Sequence, residues 1–201
     1  MSETNRRLRM VTVAERRLSW VHVVIEAVFH RHNVSAILRS CDAMGVHHVH
    51  LVGAKAFEAS AAARGANRWL DVHHHETPEA AIEVLRARGV ALWVADLHPD
   101  GRPPSDVPVS GPTALWVGGE WVGVGDAAKA AATGVITLPM WGFAQSLNVS
   151  VATALMLQPI AAAARANGDP GLGADGMREL LATWVARDEE DTVSRNGRMG
   201  R

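Results

Sequence analysis

Cysteine is nearly absent: Cys41 is the one thiol in 201 residues. A single cysteine excludes an intramolecular disulfide framework and suits a reducing compartment. The opening MSETNRRLRMVTVAERR has no apolar core of the kind a secretory leader needs. The most apolar run, Val149 to Ala164, is interrupted by Thr153, Gln158 and Pro159. It falls short of the roughly 20 residues that span a bilayer. A cytoplasmic protein with no membrane association is expected. No Lys-Ser/Thr follows the glycine segment Gly118-Gly-Glu-Trp-Val-Gly123, which excludes a P-loop, and its glycines are misplaced for a dinucleotide fingerprint. There is no cysteine pair and no second histidine cluster at metal-ligand spacing. Successive strand residues alternate faces, so His73-His74-His75 reads as a surface run. His22, His30, His32, His47, His48, His50 and His98 read as scattered, and no metal is expected.

Net charge is also small, at −1, which alone argues against a nucleic-acid partner. Its distribution argues the other way. Residues 1–70 carry nine Arg and Lys55 against Glu3, Glu15, Glu26, Asp42 and Glu58, a surplus of five, which leaves −6 for residues 71–201. Such asymmetry can be the footprint of a phosphate backbone. Arg6, Arg7, Arg9, Arg16 and Arg17 are the candidate contacts, or else the solvated face of an N-terminal helix.

The apolar pattern alternates between strand and helix. Trp20–Val28, Val46–Val52, Trp69–Val72, Val90–Ala95, Thr113–Val117 and Val135–Leu138 read as strands. Helices are expected over Ser35–Met44, with Gly45 as C-cap, over Thr77–Arg88, Asp126–Ala132 and Asn148–Ala166, and over Met177–Arg187. The tail DEEDTVSRNGRMGR is expected to fray. This alternation predicts an α/β fold, a mostly parallel sheet flanked by helices. A basic extension (1–19), a main domain (20–166) and a C-terminal helix with tail (167–201) are the expected divisions.

Three segments carry uncharged polar groups or glycines at strand ends or helix starts, where such sheets bind ligands. In HNVSAILRSCD, Asn33 is either a plain N-cap or a functional amide. It can share a site with Arg39 only if it sits at or before the cap. Arg39 is either a surface ion-pair partner or a bidentate phosphate grip. In LWVGGEWVGVG the glycines make either a tight turn or a close backbone approach to a ligand. Glu120, set among apolar neighbours, needs an arginine or backbone donors if buried. In LPMWGFAQSLNVSVATAL, Val149, Ala152, Met156 and Ile160 follow helical core spacing, and Ser146 and Asn148 are caps or ligand groups. Cys41 reads as a buried small residue.

Together and in this order, HNVSAILRSCDAMGV, LWVGGEWVGVG and ITLPMWGFAQSLNVSVATAL resemble the three signature motifs of the SpoU-type RNA 2′-O-ribose methyltransferases of the SPOUT superfamily. The likeness runs from about Val21 to Trp184. Within the family it is greatest for the branch that methylates guanosine-18 of tRNA. The resemblance implies a SPOUT fold with a deep C-terminal trefoil knot that holds S-adenosyl-L-methionine. It implies homodimers with sites shared between subunits. By motif position, cofactor contacts fall on Ala95, Gly118, Leu138 and Leu147. Functional positions fall on Asn33, Arg39, Glu120, Ser146 and Asn148. Arg39 would grip phosphate and stabilise the developing oxyanion, since a guanidinium stays protonated, while Ser146 and Asn148 orient the ribose. The GANRW stretch departs from the pattern in that Arg64 intrudes before it, altering or supplying an RNA contact. The alternatives are action on ribosomal RNA or another tRNA position, or a non-catalytic RNA-binding module.

Overall fold

The computed structural model describes residues 3–28, 30–53, 67–119 and 121–199, with the backbone alone at residue 3 and over 191–199. In chain order the elements are α1 (Glu3–Ala14), β1 (Leu18–Glu26), α2 (Arg31–Ala43), β2 (Val46–Val52), β3 (Asp71–His75), α3 (Pro78–Ala87), β4 (Ala91–Ala95), β5 (Thr113–Val117), α4 (Asp126–Ala131), β6 (Gly134–Ile136), α5 (Val149–Ala166) and α6 (Gly173–Met199). Short 3₁₀ turns lie at Asn67–Trp69 and Pro104–Asp106. The chain forms two compact units, residues 18–169 and residues 1–17 with 170–201.

The larger unit is built on a six-stranded sheet in the order β3-β2-β1-β5-β4-β6. Every pairing is parallel. Helices cover both faces, which explains why β1 is an almost unbroken apolar run. On one face, Val23 and Ile25 pack with Ile37 and Leu38 of α2 and Leu157 and Ile160 of α5. On the other, Val24 and Trp116 pack with Ala81, Ile82 and Leu85 of α3 and Ala128 of α4.

Local chemistry sets the helix ends. The Thr77 hydroxyl accepts the Ala80 N–H at 3.3 Å, and Pro78 occupies the first turn of α3. Gly45 takes φ +77° just after α2, the left-handed conformation that ends a helix at low cost. Helix α5 is long and apolar enough by length and composition to cross a membrane. Thr153, Met156, Leu157, Ile160, Ala161 and Ala164 are nonetheless buried against the protein, as in a core helix.

Four expectations are corrected. The strand expected over 69–72 is a turn over Asn67–Trp69 followed by β3 over Asp71–His75. Helix α6 begins at Gly173 and continues to Met199, through the tail expected to fray. In the smaller unit Asp188 pairs with Arg6, and Glu189 lies 3.9 Å from Arg7, so the acidic start of that tail has partners on α1. Arg17, expected as an RNA contact or else on a solvated face, is 1% exposed, its guanidinium 5.3 Å from the Trp184 ring centroid, so burial takes it away from either role. The histidines are not scattered either. Parallel register stacks His22, His48, His50, His73 and His75 in contact across β1, β2 and β3.

Candidate methyl-donor site

In a parallel sheet the chain ends of the strands share one edge, and ligands gather there. Strands β4, β5 and β6 end at Ala95, Val117 and Ile136. The segments that follow them, with the first turn of α5, enclose a cavity of about 330 Å³. That is within the usual range for small-molecule pockets. Ala95, Gly118, Leu138, Ser146, Leu147 and Asn148 all line it. The second and third motifs, some twenty residues apart in sequence, thus face one space.

The glycine segment approaches that space by closing on itself. Gly123 donates its N–H to the Gly119 carbonyl at 2.8 Å. A Cβ on Gly118 would collide with the Gly123 carbonyl, and one on Gly119 with the carbonyl of Ala27. Ala27 itself sits at φ +53°, an uncommon conformation for a residue with a side chain. Beside it, the buried Glu26 carboxylate accepts the Trp116 indole N–H at 2.7 Å and the Gly125 N–H at 3.1 Å. Glu26 therefore ties the end of β1 to β5 and to the start of α4. Glu120, like Arg64, lies outside the described residues.

The first motif meets the third through amides. Asn148 caps α5, its side-chain oxygen accepting the Ser150 N–H at 2.9 Å and the Ser150 hydroxyl at 2.6 Å. Its amide nitrogen donates to Asn33 Oδ1 at 3.1 Å. Asn33 is not at or before the cap of α2: His30 is the cap and Asn33 lies inside the first turn, 2% exposed. Six residues on, at about 100° each, Arg39 points roughly 120° away around the helix, and it is exposed. Within one chain, then, Asn33 joins Asn148 at the cavity and Arg39 does not line it.

Asp96 and Glu26 were not singled out from the sequence. Asp96 lines the cavity, bonds Lys129 at 2.7 Å and caps its own turn by accepting the Leu97 N–H at 2.9 Å. That bond raises the Lys129 pKa. Thr137 donates its hydroxyl to the Asp96 carbonyl at 2.7 Å, fixing the β6 exit beside the β4 exit. An acid directly after an apolar strand is the available signal. Of the basic candidates, Arg6, Arg7 and Arg9 lie on α1, and Arg16 follows it.

Residues 20–158 match the SpoU rRNA methylase family. The chain belongs to this family. SpoU relatives include the tRNA (guanosine(18)-2′-O)-methyltransferase of Thermus thermophilus, 36% identical over 189 residues, covering 90% of this chain and 96% of that protein. The Aquifex aeolicus TrmH/SpoU tRNA modifying enzyme superposes with a TM-score of 0.83 at 30% identity, over 92% of this chain and 97% of that one. The SpoU methyltransferase AviRb of Streptomyces viridochromogenes, solved in complex with AdoMet, gives a TM-score of 0.61 at 25% identity, over 73% of this chain and 60% of that one. The α/β fold with a six-stranded parallel sheet is thus the architecture of SpoU structures.

Proposed function

We propose that this chain is an S-adenosylmethionine-dependent tRNA 2′-O-ribose methyltransferase with guanosine-18 as its target. The observation that carries the reading is the shared cavity. Gly118 of the second motif and Leu138, Ser146, Leu147 and Asn148 of the third line one pocket, and Asn148 is bonded to Asn33 of the first. The SpoU relatives named above supply the substrate class and the cofactor.

The pocket fits the methyl donor in kind. Leu138, Leu147 and Met156 offer apolar surface for a purine, and the segments around Ala95 and Gly118 present backbone polar groups. Bound there, S-adenosylmethionine supplies an electrophilic methyl group on a sulfonium. The chain's own residues position the acceptor. Asn148 and Ser146 face the pocket from the start of α5 and orient the ribose, so that alignment of hydroxyl and methyl provides much of the rate. Buried Asn33 fixes the Asn148 amide. Arg39 clasps the substrate phosphate through its guanidinium and stabilises charge developing on the 2′-oxygen.

Because Arg39 faces away from its own chain's cavity, the reading is of a homodimer in which each Arg39 serves the partner's pocket. Exposed apolar side chains support this. Trp141 is 91% exposed, Phe143 is fully exposed, and Leu147, Val151 and Leu155 are exposed in the third motif and along α5. Patches of this kind mark contact surfaces. The knotted SPOUT topology of the third motif, the 1–19, 20–166 and 167–201 divisions, RNA contact by the α1 arginines and a cytoplasmic location belong to the same reading. Incubation with labelled S-adenosylmethionine and bulk tRNA, followed by mass-spectrometric mapping, tests it. The expected product is 2′-O-methylguanosine at position 18. Folded protein that labels no RNA overturns it.

A further inference from the structure

Among the described residues, the cavity at the chain ends of β4 to β6 leaves one concentration of ligating chemistry unused. It sits at the other side of the sheet, where β2 meets the edge strand β3. His48 pairs in register with Asp71, and His50 with His73. Residues two apart on a strand share a face, so Asp71 and His73 converge with His48 there. One Asp71 carboxylate oxygen lies 3.1 Å from His48 Nδ1 and 2.8 Å from His73 Nε2. His47 completes the group: one donor atom each of His47, His48 and Asp71 falls within 4.8 Å of the others.

We propose that His47, His48 and Asp71, with His73 adjoining, form a binding site for a divalent transition-metal ion of the zinc class. Three features of the geometry support this. First, the donor set is imidazole and carboxylate without sulfur, the mixture that Zn²⁺, Co²⁺ and Ni²⁺ accept. Each ring nitrogen that now faces the carboxylate can exchange its proton for the metal.

Second, the rings are held in place. His22 stacks on His48 at 4.8 Å between centroids and 14° between planes, and His50 stacks on His73 at 4.8 Å and 19°. Oriented second-layer contacts of this kind sharpen metal affinity. Third, access and charge are suitable. The side chains of His48, His73 and Asp71 are 20%, 27% and 42% exposed, so an ion can enter from the sheet edge. Asp71 supplies the carboxylate of the set, which balances part of the ion's charge.

A cation here would bridge β2 to β3, which among the described residues is an edge strand paired with β2. Its role is to clamp the sheet edge, away from the pocket's strand ends. The site therefore stands or falls independently of the methyl-transfer reading.

The test uses untagged full-length protein stripped with chelator, then dialysed against Zn²⁺ at low micromolar concentration. About one zinc per chain is expected, in keeping with a single tetrahedral site. Co²⁺ in its place should give the visible absorption of a four-coordinate ion, and zinc should raise Tm. Asp71→Asn, which preserves shape, and His48→Ala should each weaken binding at least about tenfold, as loss of a ligand or its support does. His98→Ala, a change at an exposed histidine elsewhere, should leave binding unaltered. Circular dichroism establishes that each variant is folded. Fewer than about one zinc per ten chains would overturn the proposal, as would equal binding by Asp71→Asn and the parent, since surface imidazoles would then account for the metal.

Discussion

Asn148 does two jobs at one position: it caps α5 and carries the amide that meets Asn33. An Asn148→Ala variant should therefore lose about 1 kcal/mol of stability as a cap and, separately, most of its turnover. Urea unfolding and a methyl-transfer assay read the two effects. Unaltered turnover would make Asn148 a cap alone. Glu26 is a purely structural anchor by comparison. Truncating it to Ala strands the Trp116 and Gly125 donors, and about 3 kcal/mol should be lost in urea unfolding, each orphaned buried donor costing about 1–3 kcal/mol. Glu26→Gln keeps an acceptor and should lose less. Buried histidines add a pH term. Desolvation, with nearby histidine charge, lowers His22 to about 3 and His50 to about 2. The unfolded chain takes up protons below about pH 6.5 that the folded chain refuses, so stability is whole above that value and falls as pH drops toward the folded values. In chelator, the unfolding free energy from urea titration should decline steadily from pH 7 to pH 5, by about 2 kcal/mol per ring at pH 5. A flat profile would mean that these rings titrate normally.

At the level of elements, tight backbone contact is the sensitive feature. A methyl group on Gly118 would strike the Gly123 carbonyl, so Gly118→Ala must open the loop after β5. Cofactor affinity should fall at least about tenfold, equivalent to about 1.4 kcal/mol, with the sheet still folded by circular dichroism. Calorimetric titration reads the change, and full affinity would separate the loop from the donor site. The elements themselves were largely legible from composition and period. Val46–Val52 and Thr113–Val117 are found at the limits the apolar runs indicate, and Thr77-Pro78 starts α3 as its chemistry requires. The limits of β3 are not legible in the sequence because Asp71 and its histidines lack the β-branched signature of a strand. The extent of α6 is hidden in the sequence because a charged, mixed tail shows no apolar period, and its partners Arg6 and Arg7 are far away along the chain. Likewise, nothing in the linear spacing of His22, His48 and His73 shows that parallel register brings them together. From the sequence, Asn33 shares a site with Arg39 only if it sits at or before the cap, and it sits inside the first turn instead. Its first-turn position works because α5 approaches α2 closely enough for Asn148 to reach it.

Across the whole molecule, the account requires two chains for one complete site. The motifs specify which residues meet, yet Arg39 lies on the exposed face of α2 and outside the pocket that Asn33 serves. If each guanidinium completes the partner's pocket, mixing inactive Arg39→Ala with inactive Asn148→Ala chains should restore up to about a quarter to a half of the activity, as one intact site forms in each mixed dimer. No recovery after subunit exchange would place both residues in the same chain's site. The central claim, however, is the pocket between the second and third motifs. A crystal structure with S-adenosylhomocysteine tests it most directly. The account predicts the nucleoside within the cavity, against Leu138 and Leu147 and beside the backbone at Gly118. A nucleoside bound elsewhere on the chain, with that cavity unchanged and empty, would contradict it.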